Sequence, residues 1–179
     1  MRLEETEPRI LGVDVENAPD WYGGGDYVYG RVACVSWKFV GEDALKTVLL
    51  DWRLSDGYLL RQLSEFRSDV EGADVLLGHN FQHDRKEIQA LFAYLKAPLL
   101  LDTPAIDTMR CIPSGPPRSL EYLCAFYGLG DKPHLTNHDW TMALIRRDPS
   151  ALALVVERNR SDVVLTEKLY EKEQELGYL

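Results

Sequence analysis

Positive charge is in short supply in this chain. Its 179 residues carry 20 Lys and Arg against 29 Asp and Glu, a formal charge of −9. That balance excludes a protein that grips nucleic acid through a broad basic surface. Cysteine is scarce too: Cys34, Cys111 and Cys124 are odd in number and lack the C-x-x-C spacing of zinc or redox sites. A disulfide scaffold is therefore excluded, and buried, reduced thiols are expected. No apolar run approaches the ~20 residues of a membrane span. The opening Met1-Arg2-Leu3-Glu4-Glu5-Thr6-Glu7 is acidic where a secretory signal would be basic and then apolar, so a cytoplasmic protein with no membrane partner is expected. What remains is the make-up of an ordinary globular domain, with 45% hydrophobic and 27% charged residues. One folded unit over residues 1–179 is predicted.

Ile10-Leu11-Gly12-Val13-Asp14-Val15-Glu16 reads as a strand, stopped by Asn17-Ala18-Pro19-Asp20. After the glycines of Tyr22-Gly23-Gly24-Gly25-Asp26, alternation over residues 27–39 predicts a second strand. The turn Gly41-Glu42-Asp43 leads to a third over 46–52, which makes a three-stranded meander. Leu59, Leu60, Leu63 and Phe66 then recur at helical spacing, residues 73–78 form a short buried strand, and Ile88, Leu91, Phe92 and Leu95 mark another helix. A helix from Ser119 to Tyr127 ends at Gly128, residues 129–139 are irregular, and Asp148-Pro149-Ser150 opens a long final helix. Alternating strands and helices after a meander predict an α/β sheet.

Carboxylates break this apolar pattern. Asp14 and Glu16 are alternate residues of one strand and point to the same face; either the strand end has reached solvent or the pair holds a cation. Asp84, in His79-Asn80-Phe81-Gln82-His83-Asp84, lies at the opening of a helix, where the helix dipole favours an acid. Asp162 shares a row of the final helix with Val155, Asn159, Thr166 and Leu169, a face that would pack inward. A carboxylate there needs a metal or a partner, and Arg158, one turn earlier, is a candidate partner.

Taken in order, three segments resemble the exonuclease motifs of the DEDD superfamily. Ile10-Leu11-Gly12-Val13-Asp14-Val15-Glu16-Asn17-Ala18-Pro19 resembles the first, Leu77-Gly78-His79-Asn80 with Asp84 the second, and Asn159-Arg160-Ser161-Asp162-Val163 the third. Ser119-Leu120-Glu121-Tyr122-Leu123 and Gly128-Leu129-Gly130-Asp131-Lys132 are similar to a helix and loop of phage and bacterial exonucleases related to the proofreading domain of family B DNA polymerases. The resemblance covers nearly the whole chain. It implies a ribonuclease-H-like mixed five-stranded sheet flanked by helices, and a 3′–5′ exonuclease acting on single-stranded or frayed DNA 3′ ends. Two divalent cations, Mg²⁺ or Mn²⁺, would be held by Asp14, Glu16, Asp84 and Asp162, hard oxygen donors suited to them. Asn17, Asn80, Phe81, Lys132 and Arg158 are the implied substrate contacts. Phe81, Trp21 and Tyr22 could stack on bases or simply pack, and Arg118 could meet phosphate. Replication or repair proteins are the implied partners, and the host cytoplasm the location if the protein is phage-encoded.

The match departs from the family where a general base is expected. The positions that hold Tyr or His before the last Asp carry Arg158 and Glu157. An Arg cannot accept a proton at neutral pH, so water activation would rest on the metals or on His134 or His138. His83 stands where an aromatic residue commonly precedes the Asp. Two alternatives stay open: the same chemistry on RNA, and a degenerate module that binds nucleic acid or a partner without cleaving.

Overall fold

Strand β1 (Ile10–Asn17) is apolar on both faces as far as Val13, and that is the pattern of a strand covered on each side. The computed structural model describes residues 7–18, 32–99, 101–111 and 117–179. In it β1 is the middle of a five-stranded mixed sheet. The remaining strands are β2 (Val32–Phe39), β3 (Lys46–Leu49), β4 (Val75–Gly78) and β5 (Ala105–Asp107), in the order β3-β2-β1-β4-β5. The first three pair antiparallel, β4 joins β1 in parallel, and β5 joins β4 in parallel. The predicted meander is present over its described part; residues 27–31, with Trp21 and Tyr22, lie outside the described residues.

Period-two alternation sorts β1 between two helical layers. Leu11, Val13 and Val15 point into the larger core, with Val35, Trp37 and Phe39 of β2. There they meet helices α1 (Asp56–Gln62), α2 (Ser64–Glu71) and α3 (Phe81–Tyr94) through Leu59, Phe66, Ile88 and Phe92. Trp37 packs edge-on to Phe66 at 5.1 Å between ring centroids, and Phe66 stacks on Phe92 at 6.3 Å. Removing either phenylalanine side chain would cost about 3–5 kcal/mol. Gly12, Asp14 and Glu16 point the other way, toward the last helix. A Cβ on Gly12 would sit 3.6 Å from Val163 of that helix, so the two backbones lie close together.

Beyond β5 come α4 (Thr108–Cys111), α5 (Leu120–Tyr127), α6 (Asn137–Thr141), a π-helical turn over Met142–Arg146 and α7 (Pro149–Glu175). The sequence places the start of α7 well: Asp148 accepts the Ala151 N–H at 2.9 Å, and Pro149 opens the helix. Two local readings are corrected. The single helix expected around Leu59–Phe66 is two, because the chain turns at Leu63 to bring both Leu59 and Phe66 into the core. The irregular stretch also ends early, at Thr136, whose hydroxyl and Asp139 form a capping box that starts α6. Among the described residues no helix is long and apolar enough to cross a membrane, and the three cysteines are free.

Candidate metal centre

Four acidic side chains from three parts of the chain converge where β1 ends. Asp14 and Glu16 come from the α7 side of β1. Asp162 comes from the inward row of α7, where Val155, Asn159, Thr166 and Leu169 are all buried. Asp84 comes from the first turn of α3, reached through β4, which runs parallel to β1 and so ends at the same edge of the sheet. One oxygen each from Asp14, Glu16 and Asp162 lies within 4.8 Å of the others. Asp84 stands outside that trio but lines the same cleft, of about 630 Å³, and its Oδ1 accepts the Val15 N–H at 3.1 Å.

Burial and crowding oppose ionisation here. The Asp14 carboxyl is held well above the ordinary aspartate range, first by burial and then by Asp84, Asp162 and Glu16. Burial raises Asp84 to about 7 against the pull of the Val15 N–H. Burial also raises Glu16, while the neighbouring Arg158 guanidinium works against it.

Polar neighbours orient the cluster. Asn159 Nδ2 donates to Asp14 Oδ2 at 2.6 Å, and Asn159 Oδ1 accepts the Cys34 thiol at 3.1 Å. Lys132 Nζ donates to Asp162 Oδ2 at 2.8 Å, whereas Asp162 Oδ1 is buried with no hydrogen-bond partner among the described residues. Arg158 Nε donates to Glu16 Oε1 at 2.7 Å, and its Nη1 donates to the Pro133 carbonyl at 3.0 Å. The candidate ion pair of Arg158 with Asp162 is thereby corrected: Arg158 leans across to β1, and the loop lysine takes Asp162.

Two of the five expected substrate contacts, Phe81 and Asn17, lie elsewhere. Phe81 is 1% exposed and belongs to the larger core, so it cannot stack on a base. Its ring also explains Gly78, where a Cβ would lie 2.5 Å from Phe81 Cδ2. Asn17 follows Glu16 by one residue and faces the opposite side of the sheet, donating through Nδ2 to His83 Nε2 at 3.4 Å. Asn80 does line the cleft. It caps α3 in a left-handed conformation, φ 60°, with its backbone N–H on Asp107 Oδ1 at 2.8 Å. Lys132 and Arg158 line the cleft as well, each already paired with an acid. His79 is tied on both nitrogens, to Thr108 Oγ1 at 2.9 Å and the Arg118 carbonyl at 2.7 Å. His134 and His138 are exposed and do not line the cleft, and Glu157 faces a separate pocket beside Arg160 and Lys168.

Asn159 and Asp107 are the site residues whose roles spacing does not reveal. Asn159 carried a signal, an amide in a buried helical row one turn before Asp162. Asp107 is a short-strand terminus that takes the Met109 N–H and Arg110 from its own segment and the Asn80 N–H from a distant one.

An all-oxygen donor set with one buried, unpartnered oxygen suits a hard divalent cation rather than a soft one. Asp14, Glu16 and Asp162 would hold it directly, with Asp84 next to them. The sequence matches no protein-family model and none of the curated proteins.

Proposed function

We propose that this chain is a metal-dependent 3′–5′ exonuclease with a ribonuclease-H-like fold of the DEDD type, cleaving nucleotides from single-stranded or frayed DNA 3′ ends. The observation that carries the reading is the meeting of Asp14, Glu16, Asp84 and Asp162, drawn from β1, α3 and α7, in one cleft. Four carboxylates kept together at this cost need a cation to justify them.

Bound Mg²⁺ or Mn²⁺ supplies the activated water and the stabilisation of the leaving oxygen. The chain's own groups supply position. Asn159 fixes the Asp14 carboxylate, and the Val15 N–H fixes Asp84. Lys132 and Arg158 are the cations nearest the carboxylates, and each can turn from its carboxylate to a phosphate oxygen when the acids take up metal. Arg158 holds a proton permanently and is no base. A cytoplasmic protein working beside replication or repair proteins accords with this reading.

Incubation with 3′-labelled DNA and RNA in Mg²⁺, Mn²⁺ or EDTA tests it. Metal-dependent release of mononucleotides from DNA, lost in Asp162→Ala with the far-ultraviolet circular dichroism unchanged, is expected. Release from RNA alone would move the substrate to RNA. One observation favours a second reading, a non-cleaving binding module: Asp162 and Glu16 are already neutralised by Lys132 and Arg158. Binding without release in any metal would establish that reading instead.

A further inference from the structure

Helix α5 buries one face and leaves the other bare. Leu120, Leu123 and Cys124 pack on Leu165 and Leu169 of α7, with Tyr127 against them. On the outer face Tyr122 is 38% and Phe126 68% exposed. They stand one helical turn apart, their rings nearly parallel at 13° with centroids 6.3 Å apart. Phe126 is braced from behind by Tyr127, edge-on at 5.0 Å. This pair is aromatic, prearranged and without a covering element among the described residues. A phenylalanine so exposed loses hydrophobic stabilisation unless something lies on it.

Position says what that is. Arg118, Ser119 and Leu120, at the head of α5, line the carboxylate cleft. The aromatic pair therefore begins one turn beyond the cleft mouth and continues away from it. A formal charge of −9 argues against a broad basic surface along which a strand could track. Stacking on rings is the grip that does not depend on such a surface.

We infer that Tyr122 and Phe126 form a stacking platform for the bases of single-stranded DNA upstream of the 3′ end held in the cleft, with Arg118 meeting the backbone between them. The inference rests on the exonuclease reading for the position of the 3′ end. Phe126 and Tyr122 touch none of the carboxylates, so they act on hold and not on hydrolysis.

The test uses a fluorescein-labelled oligo(dT) of about 12 nucleotides, within the span of a single-strand groove. Its affinity is read by anisotropy in Ca²⁺, beside Mn²⁺-dependent kinetics on the same oligonucleotide and on the dinucleotide. Phe126→Ala and Tyr122→Ala should each weaken oligonucleotide binding by about 5- to 100-fold. The KM for the oligonucleotide should rise in step with kcat unchanged, dinucleotide hydrolysis should not move, and Phe126→Trp should restore the affinity. Unchanged affinity in both alanine variants, or no binding by the wild type, overturns the inference. So does a dimer in light scattering that Phe126→Ala dissociates while DNA affinity stays the same, since the face would then join two copies. If the wild type releases no nucleotide in Mn²⁺ yet binding keeps its dependence on Phe126, the exonuclease reading fails and the platform stands.

Discussion

Replacing Asp84 by Asn removes one charge from the cleft and keeps its geometry, because an amide oxygen can still accept the Val15 N–H that Oδ1 now holds at 3.1 Å. Burial raises this carboxyl from 3.8 to about 7. The folded protein thus keeps the proton to higher pH than the unfolded chain does, and stability falls as pH rises through that window. Above it the cost reaches at most about 4 kcal/mol, and by about pH 4 it has nearly gone. The substitution also relieves Asp14, for which Asp84 is the foremost of the raising charges. In a chain of this length each kcal/mol moves the melting temperature by about 2–4 °C. In EDTA at about pH 8, Asp84→Asn should therefore melt higher than the wild type by on the order of 10 °C, with the gap closing toward about pH 4. Mn²⁺ at a hundred times its dissociation constant adds about 2.7 kcal/mol to a protein that binds it only when folded, and the variant, short of one carboxylate, should gain less. Differential scanning fluorimetry across pH, with EDTA and with Mn²⁺, reads both effects. A variant less stable than the wild type at high pH in EDTA would refute the repulsion argument, and equal Mn²⁺ shifts would remove Asp84 from the proposed metal site.

Lys132→Ala strands the Asp162 carboxylate, whose side chain is only 8% exposed; it should lose about 3–5 kcal/mol in EDTA and recover more than the wild type does on adding Mn²⁺, as read by urea melts. Glu173→Gln addresses a group outside the cleft: Glu173 is 0% exposed beside the Cys111 thiol, and burial raises it to about 8 against the pull of that thiol. Wild-type stability should fall as pH climbs from 4.5 to about 8, and the glutamine variant should be flatter over that range and melt higher at its alkaline end. On the proposed exonuclease reading, Arg158→Ala should raise KM for DNA while turnover persists, and Arg158→Tyr should raise kcat by placing a proton acceptor one helical turn before Asp162; steady-state kinetics separate the two, and loss of turnover in Arg158→Ala would give Arg158 a direct part in the chemistry.

Three of the four carboxylates were legible because each interrupts an apolar row: Asp14 and Glu16 at period two in β1, Asp162 at helical spacing among Val155, Thr166 and Leu169; Asp84 reads by itself only as a helix-opening acid, and the motif resemblance joined it to the others. The meander and the α/β alternation after it were legible too, whereas the strand order came only with the structure. Partners were not legible, because spacing exposes only neighbours on the same element. Arg158 is one turn from Asp162, yet its guanidinium pairs with Glu16, which is 142 positions away. Asn17 shows the force of alternation: adjacent to Glu16 in sequence, it faces the other layer. Phe81 stays open in the sequence between stacking and packing, and only the close passage of Gly78 shows that the turn folds it inward. The division of α1 from α2 at Leu63 and the start of α6 are decided by packing and by a cap that a propensity reading of those stretches passes over.

Helix α7 joins the stability of the fold to the setting of the cleft. Among its buried residues are Asn159, Asp162, Thr166, Glu167 and Glu173, an uncommon polar load for a packed helix. Three of them are answered by specific partners. Asn159 bonds Asp14 on β1 and Cys34 on β2. Glu167 takes Lys38 of β2 and the Gly41 N–H. Asp162 takes Lys132. A purely apolar face could slide or rotate on the sheet at small cost, since hydrophobic contact is non-directional. Polar pairs on both sides of Asp162 cannot, because a shift of either would leave a buried group unpaired. The Asp162 carboxylate is therefore held opposite Asp14 by the same bonds that fix the helix on the sheet, so the geometry that the proposed cation would need is set by the fold alone.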